Sequence, residues 1–278
     1  AFVNGDLYVA NINRIIKYSA IESNLKNPGY TVVYDQLPSD SWHGYKVLRQ
    51  GPDQKLYIPL GAPCNICDST NTGLNLKYGS MNRLNTDGSG FETIATGIRN
   101  SVGFDWNPSS NELWFTDNGR DNLGNGIPPD ELNRIPEIGK HFGFPFVHGD
   151  SIMDPSFGGQ GIPANFMPPV FGFDAHSASL GMRFYTGGSF PSSYHKQVFV
   201  AHHGSWNRTP PIGYRIVVIH LNGNEAVSQE IFAEGWLQGN GGIQSLGRPV
   251  DVEILSDGSM LVSDDLKGNI FRIWYDPD

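Results

Sequence analysis

Short apolar stretches separated by polar turns recur along the whole chain of 278 residues. One tetrapeptide pattern, with an aliphatic or Met residue followed by an aromatic or aliphatic one, occurs five times, and an Arg followed by Ile or Leu trails each copy. Such β-branched and aromatic residues between Gly, Pro, Asn and Asp turns predict a strand–turn–strand unit. The copies are Asp6–Val9, Lys55–Ile58, Glu112–Phe115, Gln197–Val200 and Ser259–Val262, trailed by Arg14-Ile15, Arg83-Leu84, Arg134-Ile135, Arg215-Ile216 and Arg272-Ile273.

The spacing of the five copies predicts an all-β chain of the β-propeller type with five recognisable blades. Strand units that recur every 40–60 residues or so are typical of propellers, whereas a β-sandwich or a β-helix is the alternative. The chain opens directly on a repeat, so we expect roughly the first blade of the ring to be missing. The continuous repeat predicts a single domain over residues 1–278. A long insertion, about Gly149 to Leu180, lies in the widest gap, and loops of that length are usually functional or mobile.

The composition of the chain disfavours two classes of binding partner. Because 19 basic and 28 acidic side chains leave a formal net charge of −9, nucleic acid and anionic membrane surfaces are poor partners. No apolar run approaches the roughly 20 residues of a membrane-spanning helix, so no membrane insertion is expected.

The two cysteines form the motif Cys64-Asn65-Ile66-Cys67. A zinc site needs about four ligands, and a thioredoxin-type site needs a βαβ context that the sequence does not predict. We favour a local disulfide between Cys64 and Cys67 in an oxidising compartment, with two reduced loop thiols as the alternative.

Polar residues concentrate in segments that flank the predicted inner strands, where the connections of a propeller gather around the central channel. Residues far apart in sequence are therefore expected to face one ligand. These segments are Ser41–Gly44, Gly97–Asn100, Thr116–Asp121 and His202–Arg208.

Four stretches of the chain together resemble the glucose/sorbosone dehydrogenase family, the soluble PQQ-dependent aldose dehydrogenase group, and most closely its L-sorbosone dehydrogenase-like branch. The motif Pro63–Cys67 also fits that branch. The resemblance runs along essentially the whole chain and implies a six-bladed propeller. The stretches are Leu113–Glu131, Phe142–Pro145, His203–Arg208 and Ser263–Asp265.

The resemblance implies a catalytic base and a cofactor-binding pair in the first part of the chain. His43 matches the family's base, and a histidine that is mostly neutral at pH 7 can accept a hydroxyl proton. Trp42 stands where the sugar dehydrogenases carry Asp. Arg99-Asn100 match a pair that binds PQQ, an ortho-quinone with three carboxylates that a guanidinium can neutralise and orient. Arg99 is also expected to stabilise charge on the quinone oxygen.

The resemblance implies a Ca²⁺ site and further cofactor contacts in the second part of the chain. Two successive backbone carbonyls hold Ca²⁺ in the family, and Gly119-Arg120 match them, although the sugar dehydrogenases carry Pro at the second position. Oxygen ligands suit calcium. The looser matches to cofactor-binding positions are Asn207, Arg208, Arg248 and Trp206, the last as a stacking surface.

The leading functional hypothesis is therefore a PQQ- and Ca²⁺-dependent oxidoreductase acting on an aldose sugar or a related aldehyde or alcohol. Hydride would pass to the quinone, and electrons would leave to an acceptor such as a c-type cytochrome. A periplasmic or secreted location is expected. Two alternatives stay open: a calcium-dependent lactonase-type hydrolase, and a non-catalytic propeller that has lost its cofactor. A basic group formed by Arg99, Arg208 and Arg248 disfavours the hydrolase.

Overall fold

The computed structural model of the protein describes residues 1–68 and 78–277. Strands dominate it, and its helical residues lie in four single-turn 3₁₀ helices. Within these described ranges, no helix is long and apolar enough to cross a membrane. The 3₁₀ helices are Ile21–Ser23, Gly158–Gln160, Ser192–Tyr194 and Gly242–Gln244.

The chain divides into two compact units. The first unit comprises Ala1–Val102, Glu137–Val147 and Asp154–Met167. The second unit comprises Gly103–Pro136, His148–Met153 and Pro168–Asp278. The prediction of a single domain over residues 1–278 stays a prediction.

Two antiparallel sheets build the first unit. Leu56, Ile58 and Leu84 are buried in its core with Ile15. The first sheet runs in the order β1 (Phe2–Val3), β2 (Asp6–Ala10), β3 (Ile15–Tyr18) and β4 (Thr31–Tyr34). The second sheet contains β5 (Arg49–Gln50), β6 (Leu56–Leu60), β7 (Ser80–Leu84) and β8 (Glu92–Thr96), and β12 (Lys140–His141) pairs in parallel with β8.

Three larger sheets build the second unit. A small separate sheet, which belongs to neither group, pairs β13 (Val147–His148) with β14 (Ile152–Met153). The first contains β9 (Gly103–Trp106), β10 (Leu113–Asp117), β11 (Asp130–Ile135) and β15 (Phe171–Phe173). The second contains β16 (Ser179–Phe184), β17 (Val198–His202), β18 (Arg215–Asn222) and β19 (Glu225–Ala233). The third contains β20 (Pro249–Ile254), β21 (Met260–Asp264) and β22 (Ile270–Ile273).

The repeated tetrapeptides mark equivalent strands in all five sheets. Each copy falls on the strand that follows the first antiparallel turn, namely β2, β6, β10, β17 and β21. Each trailing pair begins or ends the next strand, so that Trp114 faces Arg134 and Leu261 faces Arg272 across the ladder. Central strands such as β6, β10 and β17 are buried along their whole length, which explains their apolar composition.

Two details differ from the predicted four-stranded blades. The sheet of β20, β21 and β22 has three strands in the described part of the chain. The predicted insertion from Gly149 to Leu180 also contains a blade strand, because β15 pairs with β11 and places Phe173 opposite Asp130. A three-residue Phe-Gly-Phe strand is too short to give a period-2 pattern, which is why the sequence did not separate it from the insertion.

Candidate active site

His43 sits in the connection between β4 and β5, in a backbone conformation with φ +50°. Its turn is closed by the Gly44 amide, which donates to the Ser41 carbonyl at 3.1 Å. The His43 ring bonds the Ala62 carbonyl through Nδ1 at 2.7 Å. Because a carbonyl only accepts, Nδ1 carries the proton in the neutral ring, and Nε2 is then the nitrogen that can accept one.

The surroundings of His43 keep its ring neutral. Burial and, to a smaller extent, the nearby positive charge of Arg99 lower the pKa of His43 from 6.5 to about 4, against a smaller opposing effect of the bond to Ala62. At neutral pH the side chain is therefore an unprotonated, oriented acceptor. The exposed Trp42 ring meets the His43 ring nearly edge-on, with 5.8 Å between centroids.

Arg99 follows β8 and is 4% exposed. Its Nε donates to the Asn65 carbonyl at 2.9 Å, and its Nη2 donates to the Asn65 side-chain oxygen at 2.8 Å. The Arg99 carbonyl accepts the Ala62 amide at 2.8 Å. A guanidinium held by two bonds to one residue is fixed in direction.

Asn100 reaches the same place because Gly61 has no side chain. A Cβ at Gly61 would lie 2.6 Å from the Cβ of His43 and 3.1 Å from Oδ1 of Asn100. His43, Arg99 and Asn100, which the sequence placed in one site, therefore lie together in the first unit around the segment 61–65.

His141 supports this cluster and was not singled out from the sequence. A Cβ at Gly97, whose φ is +72°, would lie 2.3 Å from Cε1 of His141. His141 Nδ1 accepts the Gly143 amide at 3.1 Å, and burial lowers the pKa of His141 to about 4. The parallel pairing of β12 with β8 thus packs a neutral ring against the backbone that leads to Arg99. Its neighbour in sequence, the Phe142–Pro145 motif, was the signal available for finding it.

The predicted cysteine pair is bonded, which confirms the disulfide. Cys64 and Cys67 have Cα atoms 6.1 Å apart and close a four-residue loop that contains Asn65. No cysteine is free in the chain.

In the second unit, Gly119 and Arg120 follow β10 as predicted, beside buried carboxylates. The Gly119 amide donates to Asp130 at 2.9 Å, and Arg120 is 9% exposed with its Nε bonded to the Asp121 carbonyl at 3.3 Å. Burial raises the pKa of Asp130, whose oxygens also accept bonds from Ser177 and Ser179.

Glu131 is a second buried acid in this region. Burial, and then the negative charge of Asp117, raise the pKa of Glu131 to about 8. Its two oxygens accept from the Gly149 amide at 2.8 Å and from Asn133 at 3.0 Å. In residues 1–68 and 78–277, no group of three or more His, Cys, Asp or Glu side chains is arranged to hold a metal ion.

Asn207 and Arg208 lie in the same region of the second unit. Asn207 donates to Asp121 at 2.7 Å, and Arg208 donates through Nη1 to the Ala175 carbonyl at 2.8 Å. Oδ1 of Asn207 and Nε of Arg208 are buried without a hydrogen-bond partner among the described residues. Buried polar atoms are normally paired, so an uncompensated acceptor and an uncompensated cationic donor are compatible with a ligand site. Trp206 is 71% exposed.

Arg248 is held against the backbone of the HGSWNR segment. Its Nε donates to the His203 carbonyl at 3.2 Å, its Nη2 donates to the Gly204 carbonyl, and its guanidinium lies 5.5 Å from the centroid of the Tyr214 ring. Arg248 is therefore positioned by groups that leave its charge intact.

In each unit taken by itself, the basic side chains suit an anionic, planar cofactor such as PQQ. Arg208 and Arg248 contact neutral carbonyls and a ring, so each can offer its charge to a carboxylate. Neutral His43 beside Arg99 adds a proton acceptor. The fold and these residues define the class of a β-propeller-type chain that carries basic side chains in each unit.

Comparison with known proteins agrees with this class. The chain is 34% identical to an uncharacterized protein of Borreliella burgdorferi over 97% of the chain and 73% of that relative. It is 31% identical to the aldose sugar dehydrogenase YliI of Escherichia coli over 66% of the chain, and it spans about half of that enzyme (52%). The holo form of the PQQ domain of pyranose dehydrogenase from Coprinopsis cinerea superposes with a TM-score of 0.76 at 17% identity, over 98% of this chain and 79% of that one.

The chain belongs to the glucose/sorbosone dehydrogenase family, whose model matches residues 8–272. The structural likeness confirms the predicted fold class, an all-β chain of the propeller type with five recognisable blades.

Proposed function

We propose that the protein is a PQQ-dependent oxidoreductase that oxidises an aldose sugar or a related aldehyde or alcohol. Membership of the family, and the names of relatives that oxidise sugars with PQQ, support this reaction class. The observation that carries it is the state of His43, a neutral imidazole with its Nδ1 proton engaged and a fixed cation beside it.

His43 is the base in this proposal. Nε2 takes the proton from the substrate hydroxyl while the ring stays fixed through its bond to Ala62. A protonated His43 would be unfavourable here, because burial and the positive charge of Arg99 both disfavour the cationic ring. The low pKa of His43 keeps the base in its accepting form across the physiological range.

Arg99 and Asn100 hold the cofactor. When bound, PQQ supplies the two-electron acceptor at its ortho-quinone, in the family's terms by taking up hydride from the substrate carbon. Arg99 offers a rigid, charged donor to a carboxylate or to the quinone oxygen, and Asn100 offers an amide. Arg99 is oriented by its bonds to Asn65 rather than by the cofactor itself.

Ca²⁺ binding to the carbonyls of Gly119 and Arg120 is part of the proposal. Calcium would polarise the quinone carbonyl. The cationic Arg120 beside that position bonds the Asp121 carbonyl. Asn207, Arg208, Arg248 and Trp206 are proposed as further cofactor contacts, the last by stacking.

Electrons then pass to an external acceptor such as a c-type cytochrome. We place the protein in the periplasm or outside the cell, because the Cys64–Cys67 disulfide is stable in oxidising compartments. Within this reaction class, we propose a sorbosone-type sugar as the substrate.

Reconstitution tests the function directly. Purified protein is mixed with PQQ and CaCl₂, and quinone absorbance is followed on the protein after gel filtration. Reduction of a dye is then measured with aldoses and with sorbosone. The proposal requires stoichiometric PQQ retention and sugar-dependent dye reduction. Retention without turnover on any sugar, aldehyde or alcohol would leave a cofactor-binding propeller, and absence of both would refute the proposal.

A further inference from the structure

The turn that carries His43 also presents two aromatic side chains to solvent. Trp42 directly precedes His43 and is 53% exposed, and Tyr45, which follows in the same connection, is 85% exposed. Rings in this position keep apolar surface in contact with water, and a ligand with an apolar face would bury that surface. Neither ring has a role in the proposed proton transfer to His43.

We propose that Trp42 is a specificity-determining residue, whose indole stacks against the cyclic form of a sugar while a hydroxyl of that sugar faces His43. The substrate class is thereby narrowed to sugars with an apolar ring face, as opposed to short aldehydes and alcohols. The inference rests on the proposed function for the role of His43 as a base. The contact between a sugar and Trp42 can be measured without turnover.

The backbone of the turn holds Trp42 in place. The Gly44 amide bonds the Ser41 carbonyl at 3.1 Å, and a Cβ at Gly44 would lie only 2.7 Å from the carbonyl oxygen of Asp40. The Gly44 carbonyl in turn accepts a hydrogen bond from Nζ of Lys46 at 2.8 Å. A stacking surface on a backbone fixed in this way loses little conformational freedom when a ligand binds, which favours affinity.

The indole of Trp42 lies directly beside the proposed base. The centroids of the Trp42 and His43 rings are 5.8 Å apart, and their planes are 71° from parallel. Nδ1 of His43 is bonded to the Ala62 carbonyl, so the proton acceptor is Nε2. A sugar ring with its hydroxyl groups is about as wide as the separation of the two rings, so one molecule can contact both.

An indole suits a cyclic sugar because one face of the sugar consists of C–H groups. Covering these groups with an aromatic ring removes apolar surface from water, and their positive hydrogens meet the negative face of the ring. An aspartate, which the sugar dehydrogenases carry in place of Trp42, offers hydrogen bonds but no such surface. In this chain the Ala62 carbonyl bonds the His43 ring, so the side chain at position 42 is not needed to orient the base.

Steady-state kinetics of the protein loaded with PQQ and Ca²⁺ give the first test. Trp42→Ala and Trp42→Phe are compared with wild type on the best aldose substrate from the reconstitution and on glycolaldehyde, which has no sugar ring. Trp274→Ala is the matched control. Trp274 is similarly exposed, at 65%, and directly follows β22 in the second unit, where no site residue is proposed.

We expect Trp42→Ala to raise KM for the aldose about tenfold, with kcat within about threefold and KM for glycolaldehyde within about twofold of wild type. Trp42→Phe keeps a flat ring and should raise KM for the aldose by at most about threefold. Trp274→Ala should match wild type. A lower kcat with unchanged KM in Trp42→Ala would mean that Trp42 supports the His43 ring rather than the sugar, and would overturn the inference.

The second test needs no turnover. Labelling with ¹⁵N-tryptophan gives indole N–H signals in NMR spectra for the six tryptophans, and the Trp42 signal is the one that Trp42→Phe lacks. Cofactor-free protein is titrated with L-sorbosone, with D-glucose and with D-sorbitol, an open-chain polyol. We expect the Trp42 signal to shift with a cyclic sugar and to stay unmoved with sorbitol, while the Trp274 signal stays unmoved throughout. A Trp42 signal that neither sugar moves would overturn the inference.

Failure of the two ideas is distinguishable. If wild-type protein retains no PQQ and reduces no dye while a cyclic sugar moves the Trp42 signal, the proposed function fails and the sugar contact of Trp42 stands. If wild-type protein oxidises the aldose and Trp42→Ala does so with the same KM, the proposed function stands and the inference about Trp42 is wrong.

Discussion

Two histidines of this chain share a lowered pKa and differ in their exposure and in their hydrogen bonds. His43 in the first unit and His202 in the second both lie beside an arginine, and burial lowers their pKa to about 4 and about 3 respectively. His43 is partly accessible and has its Nδ1 bonded to a carbonyl. His202 is fully buried on β17, its ring packs edge-on against Phe173 with 5.0 Å between centroids, and neither nitrogen has a hydrogen-bond partner in the described ranges.

The difference teaches that a shifted pKa does not by itself identify a base. Desolvation lowers the pKa of any buried imidazole. What separates His43 is a fixed tautomer and a partly accessible ring. His202 has the shift without the orientation, so we assign it to packing.

The largest expected effect separates the two histidines in catalysis. His43→Ala should lower kcat about 10²- to 10⁴-fold, since it removes the proton acceptor, while PQQ affinity stays within about twofold. His202→Leu should retain turnover. Dye reduction and PQQ titration on both variants measure this, and a His43→Ala enzyme with more than a tenth of wild-type kcat would contradict the assignment.

The next effect concerns the cation beside His43. Arg99→Ala should weaken PQQ binding about tenfold or more and lower the rate, because a charge-assisted contact is lost. It should also raise the pKa of His43, since one of the two causes that lower it is removed. Equilibrium binding and the imidazole NMR titration check both parts. An unaltered His43 titration would mean that the two side chains do not interact.

Both histidines should lower the free energy of unfolding as the pH falls below 6.5. Their folded pKa values lie below 6.5, so between pH 6.5 and about 4 the unfolded chain binds protons that the folded chain does not. Stability therefore falls as pH falls through this window, by about 1 kcal/mol for each histidine between pH 6 and pH 5. Urea unfolding at the two pH values measures it. His202→Leu should lose its share of the slope, and a slope equal to wild type would be contrary to expectation.

The smallest effect is on His202 itself at neutral pH. Replacing a buried ring that has no hydrogen-bond partner by a similar-sized apolar side chain should leave the free energy of unfolding unchanged or raise it by up to about 1 kcal/mol. Urea midpoints at pH 7 check this. A fall in the free energy of unfolding of more than about 2 kcal/mol would show that His202 makes a stabilising contact besides its packing against Phe173.

Much of the fold was predictable because the signal is local and repeated. The Leu-Tyr, Leu-Trp and Val-Phe dipeptides of the repeat lie on buried central strands. The Arg-Ile or Arg-Leu pair that trails each copy lies at one end of the next strand of the same antiparallel sheet. The parallel pairing of β12 with β8 was not predictable, since two residues carry no period and their partner lies more than 40 positions earlier.

The site divides in the same way. Residue types and family resemblance placed His43, Arg99 and Asn100 together, and the structure brings them together within one unit. The bond from Arg99 to Asn65 and the contact of His141 with Gly97 depend on loop geometry, which no spacing rule supplies. The cofactor and metal roles of Gly119, Arg120, Asn207, Arg208 and Arg248 stay predictions.

The link between the base and the cation runs through peptide groups of Ala62, whose carbonyl accepts from His43 and whose amide donates to the Arg99 carbonyl. Peptide groups are the same whichever residue occupies the position. Substitutions at this buried position are then limited mainly by side-chain volume. Only proline, which has no amide hydrogen, would remove the hydrogen bond to the Arg99 carbonyl. In a mutational scan, position 62 should tolerate Gly and Ser and reject Pro. The residue type at position 62 would therefore not reveal that its peptide groups link the two functional residues.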